Sequence, residues 1–119
     1  MNYEEMSDSD IAAKVFEVSH GVIPDFKEHP DGGISLISYE NDIISGEDVE
    51  VVGGRFNPLN NLSDMWPLIS ENNMSICSIG GNGPWMVRSG TFSSIHTNPL
   101  RAAAIVYLMM KEKDHESRY

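Results

Sequence analysis

A single cysteine in 119 residues leaves no partner for an internal disulfide and no second thiolate for a zinc site. Cys77, set among Ser75, Ile76, Ser78 and Ile79, reads as packing material and fits a reducing compartment. Basic side chains are scarce too. Eight Lys plus Arg face 18 Asp plus Glu, and the net charge of −10 repels phosphate backbones, which argues against direct binding to nucleic acid or to an anionic membrane. Long apolar runs are missing. The longest, residues 102–110, has nine members where a bilayer crossing needs roughly 20, so it predicts a buried helix. The first ten residues lack the basic and apolar blocks of an export signal, and a cytoplasmic location is expected.

Bulk composition is otherwise that of a folding chain, 40% hydrophobic and 22% charged, and the length suits one domain spanning residues 1–119. Charge divides it unevenly. Residues 1–50 carry thirteen acids against Lys14 and Lys27, a balance of −11, while residues 51–119 carry five acids against six bases, a balance of +1. No linker, repeat or low-complexity tract separates the halves, so the asymmetry predicts an acidic face rather than a second domain.

Local signals predict an α+β fold: a small antiparallel sheet of two hairpins packed against a long apolar terminal helix, with two shorter helices. Ser7 and Asp10 form a weak capping box, Ile11, Val15 and Val18 recur on one face, and Gly21 followed by Pro24 closes that helix. Alternation at Ile34, Leu36, Val49 and Val51 around Gly46 predicts one hairpin. A second helix is expected from Ser63 or Asp64 to about Asn72, with Trp66, Ile69 and Met65 inward and Pro67 tolerated in its first turn. Residues 74–79 and 85–89 flank Gly80-Gly81-Asn82-Gly83-Pro84 as the second hairpin. Asn98 as N-cap and Pro99 as first helical residue open the last helix, expected to about Lys113 and apolar nearly all round.

Catalytic patterns are lacking. His20, His29, His96 and His115 have no ligand spacing, the turn from Glu28 through His29 and Asp31 to Gly33 reads as solvated, neither glycine loop precedes a helix as a phosphate cradle would, and no serine elbow occurs. No metal, cofactor or enzymatic activity is therefore predicted.

Two segments carry what binding chemistry the chain offers. In the first, Asn57, Asn60 and Asn61 sit in a Pro-bearing loop where side-chain amides either hold the backbone or bind a ligand, and Trp66 follows. In the second, His96 and Arg101 flank the helix start at Asn98, a place suited to phosphate or carboxylate, although Arg101 has many carboxylates with which it can pair instead. Trp85 and Arg88 add a stacking surface and a cation, and either indole can equally be core. The prediction is that both segments border one hollow open to water.

Phe56-Asn57-Pro58-Leu59-Asn60-Asn61, leading to Asp64-Met65-Trp66-Pro67-Leu68-Ile69, and the helix Asn98-Pro99-Leu100-Arg101 running on through Tyr107-Leu108-Met109-Met110 resemble the NinX-like proteins of lambdoid phages and prophages. The likeness covers somewhat over half the chain. It implies a small accessory protein acting in the bacterial host cytoplasm and carries over no catalytic residue. The expected function is thus non-catalytic: a host-defence antagonist that sequesters a small anionic, nucleotide-like signal. The alternative is a protein whose acidic half, including Asp42, Glu47, Asp48 and Glu50, occupies the basic surface of a host nucleic-acid enzyme. A small enzyme acting on phosphorylated metabolites is a third reading. Seven methionines and the apolar last helix also predict a homo-oligomer.

Overall fold

The computed structural model describes residues 2–41, 43–81 and 83–116; Asp42, Asn82 and the side chains of Val49 and His115 lie outside that description. Helix ends fall where local chemistry puts them. The Ser7 hydroxyl accepts the Asp10 amide at 3.1 Å to open α1 (Asp8–His20), and Gly21, at φ 76°, closes it. Asn61 caps α2 (Leu62–Glu71), and α3 runs Pro99–Glu116. A short 3-10 turn, Tyr3–Glu5, precedes α1.

The architecture is α+β as the sequence predicts, with the strands divided between two three-stranded antiparallel sheets in place of a single one. The first joins β1 (Asp25–Glu28), β2 (Ile34–Asn41) and β3 (Asp48–Phe56); the second joins β4 (Ser75–Ser78), β5 (Trp85–Ser89) and β6 (Phe92–His96). Each predicted hairpin has thus gained a third strand. β1 offers only Phe26 as an apolar side chain, so its pairing with β2 leaves almost no periodic signal. β6 returns from β5 across Gly90, whose φ of 58° suits the tight turn between Ser89 and its partner Phe92.

Helix α3 lies across β5 and β6 and against α1 and α2. Every residue from Ala102 to Leu108 is buried, together with Ile11, Val15, Leu59, Met65, Ile69 and Val87, so the apolarity of α3 is covered within one chain. In α2 the inward face is Met65 and Ile69, four residues apart, and Trp66 turns outward, contrary to expectation. Pro67 is the sixth residue of α2 and not in its first turn; the carbonyl it leaves without a donor belongs to Ser63, which is exposed to water.

The turn between β1 and β2 also differs from its sequence reading, because Gly32 and Gly33 are buried. Gly32 sits at φ 91°, and a Cβ there would lie 2.6 Å from the Asp8 Cβ. Gly32→Ala should therefore cost about 2 kcal/mol in urea unfolding, from left-handed strain plus a clash with the first turn of α1; a loss below about 0.5 kcal/mol would contradict that packing.

The molecule is long for its size. Its radius of gyration is 16.4 Å and its extents are 60 × 39 × 25 Å, whereas a compact chain of this length has a radius near about 13–14 Å. The outer part of β2 and β3 is correspondingly bare. Phe56 meets Phe16 of α1 edge to face, but from Ser38 to Asn41 and again at Glu50 and Val52–Arg55 the ladder is exposed. This part of the hairpin is an arm.

Candidate functional site

The Asn-rich loop and the start of α3 do adjoin. Asn98 Oδ1 accepts the Leu100 amide at 2.9 Å as a helix cap, while its Nδ2 donates to the Leu59 carbonyl at 2.7 Å. His96 Nδ1 accepts the Asn98 amide at 2.9 Å and so holds the turn into the helix. In the loop itself, the Asn57 carbonyl accepts the Asn61 amide at 2.8 Å, and Asn61 Oδ1 accepts the Ser63 amide at 3.0 Å. Asn60 Nδ2 donates to the Asp31 carbonyl at 2.7 Å. The side-chain amides of Asn60 and Asn61 thus hold backbone, one of the two roles the sequence allows them, while Asn57 Oδ1 accepts from Asn60 Nδ2.

Arg101 is committed as well. The residue is only 7% exposed, and its guanidinium pairs with the Asp8 carboxylate and donates through Nη2 to the carbonyls of Tyr3, Glu4 and Met6. It fastens the amino-terminal segment over α3 and has turned away from any outer ligand.

Two hollows remain. A small one of about 300 Å³ is lined by Asp31, Arg55, Asn57, Asn60, Asn61 and Asp64. The three predicted asparagines meet there, but Trp66, Trp85, Arg88, His96, Asn98 and Arg101 do not line it. Asp31 accepts the Gly33 amide and pairs with Arg55, and these bonds hold its carboxyl below the usual range against the cost of desolvation. Asp64 Oδ2 accepts the Asn57 amide at 2.9 Å. With two carboxylates against one guanidinium, this hollow does not favour an anion.

The larger hollow, about 970 Å³, opens among α1, α2 and α3 and went unseen in the sequence. Val18, Leu68, Tyr107 and Leu108 contribute its apolar wall, with Lys14 and Lys111 opposed by Glu17, Glu71 and Glu112. The Tyr3 hydroxyl donates to Glu112 at 2.6 Å, and Lys111 lies 5.7 Å above the Tyr107 ring. Burial, then the Glu112 contact, pushes the Tyr3 hydroxyl well above its ordinary pKa; burial, then Glu71, raises Tyr107. Three carboxylates against two ammonium groups again weigh against an anionic occupant.

Both indoles are accessible, Trp66 at 55% and Trp85 at 37%. Trp85 pairs across the strands with His96, and exposed Arg88 is paired with Ser75 and Ser93. Trp66→Ala should therefore leave thermal stability within about 1 kcal/mol of the parent, since little apolar area is lost from the interior. Among the described residues, no group of three or more His, Cys, Asp or Glu is arranged to hold a metal ion, and no helix is long and apolar enough to cross a membrane.

The remaining candidate is the arm. Between positions 39 and 52 the sequence has five acids and no base. Tyr39 and Val52 are exposed beside them, and the tip carries Ile43 at 94% and Ile44 at 98% exposure. No family model, curated protein or solved structure matches the chain.

Proposed function

We propose that this chain is a non-catalytic accessory protein that works by docking its β2–β3 arm on a basic, partly apolar surface of another protein. One observation carries the reading: the arm brings exposed acids and exposed apolar side chains together on one protruding ladder. Acids supply attraction and orientation; Tyr39, Ile43 and Val52 supply area to bury. Capture of a nucleotide-like anion is the weaker reading, because Arg101 is spent internally and both hollows carry more carboxylates than cations. The resemblance of Asp64–Ile69 and the α3 segment to NinX-like phage proteins supports a bacterial host protein as the partner, with antagonism of a host defence enzyme as the outcome.

The test is a variant with Glu40→Gln, Glu47→Gln and Asp48→Asn. It should melt with the parent, because these side chains are exposed, yet bind a host protein recovered on the parent about tenfold or more weakly. The parent's own affinity should fall as salt is raised. Equal binding by parent and variant would refute arm docking.

A further inference from the structure

Resting on that docking reading, we propose that the partner contributes an extended segment with Lys or Arg at alternate positions, which adds to the free edge of β3 as a fourth strand. β3 is nine residues long and ends the order β1-β2-β3, and among the described residues its backbone pairs with β2 alone. Sheet edges are ordinarily blunted by proline, lysine, shortness or a bulge. The opposite edge, β1, has only four residues and carries Lys27. Along β3 the stretch from Asp48 to Val52 has neither proline nor lysine, and the irregularity in pairing falls beyond it, where Gly53 and Gly54 stand against Leu36. The open template is therefore the outer half of the arm, away from the body.

Pairing also decides what the added strand must carry. Asp48, Glu50 and Val52 stand opposite Asn41, Tyr39 and Ile37 on one face, while Val51 stands opposite Ser38 on the other, which leads down to Leu36, Phe56 and the core. Side chains directly opposed across strands come within about 5.5 Å. A lysine at every second position of an incoming strand would thus meet Asp48 and Glu50 in turn. Lys27 already reaches this face from β1, with its Nζ 2.7 Å from Glu50. A second copy of this chain is a poor occupant, because edge-to-edge pairing would bring two sets of Asp48 and Glu50 together.

The probe is a short peptide alternating lysine and valine, with two further peptides N-methylated on one or the other alternate set of amides. Charge is the same in all three; only the ladder differs. The unmodified peptide should bind and slow hydrogen exchange of alternate amides over residues 48–52, and one N-methylated peptide should bind about tenfold or more weakly while the other keeps its affinity. No binding, or protection appearing at β1 instead, overturns strand addition. Equal affinity of all three peptides, lost in the Glu40→Gln, Glu47→Gln, Asp48→Asn variant, removes strand addition but keeps arm docking. Full affinity for that variant removes both. If the free chain already protects residues 48–52 and has twice the 13.2 kDa mass, a second copy fills the edge and the proposal fails.

Discussion

Replacing Arg101 by methionine should lower the unfolding free energy by about 3–4 kcal/mol, and the melting temperature by roughly 12–16 °C. Methionine fills much the same space, so the loss is not that of a cavity. It is the loss of a donor set. The guanidinium satisfies three carbonyls, of Tyr3, Glu4 and Met6, and the Asp8 carboxylate at once, and without it each must find water in a place where Arg101 itself is nearly inaccessible. Asp8 is partly exposed and can rehydrate, which holds the cost below the extreme for a buried ion pair. Arg101→Lys should recover less than half of the loss, since one ammonium cannot reproduce a planar fork that reaches four acceptors. Amide exchange should accelerate at residues 3–8 before the rest of the chain. A variant that unfolds within about 0.5 kcal/mol of the parent would mean that Arg101 does not hold the amino-terminal segment.

The same residue shows where sequence reasoning stops. Ser7 and Asn98 announce helix starts because their caps are made with amides two or three residues away, Gly21 and Pro99 announce ends through their own backbone, and all four stand where expected. Arg101 has its carboxylate partner 93 residues distant, so its choice between ligand and ion pair is written only in the tertiary structure. β1 was hidden for the same reason, its partner strand supplying the order that Asp25-Phe26-Lys27-Glu28 lacks by itself. The meeting of the Asn-rich loop with the α3 start rests on the Asn98–Leu59 bond across 39 residues, and no shared hollow accompanies it. The acidic character of the amino-terminal half was legible. Its gathering into a protruding arm was not, because the length of β2 and β3 beyond the core depends on pairing between Asn41 and Asp48, outside the apolar alternation. The three-helix hollow comes from the angles between helices, for which no local pattern exists.

Raising the pH should unfold this protein earlier than its acidity alone suggests. Tyr3 and Tyr107 both have hydroxyls whose pKa is higher in the folded state, chiefly because burial disfavours the phenolate, with Glu112 and Glu71 respectively adding to it. The unfolded chain gives up these protons near about pH 10, while the folded chain retains them. Their stabilising contribution is therefore complete below pH 10 and is withdrawn as pH climbs toward the folded values. Each retained proton costs at most about 1.4 kcal/mol per pH unit once the unfolded chain has ionised, so stability should fall between pH 10 and 12, more of it through Tyr3 than through Tyr107. Tyr3→Phe separates the contributions. At pH 7 it loses the hydroxyl that donates to Glu112 and should be less stable by about 1–2 kcal/mol, but its stability should fall less steeply from pH 10 to 12, so that the urea midpoints of variant and parent converge or cross. Parallel curves would show that Tyr3 ionises as freely in the folded state as in the unfolded chain.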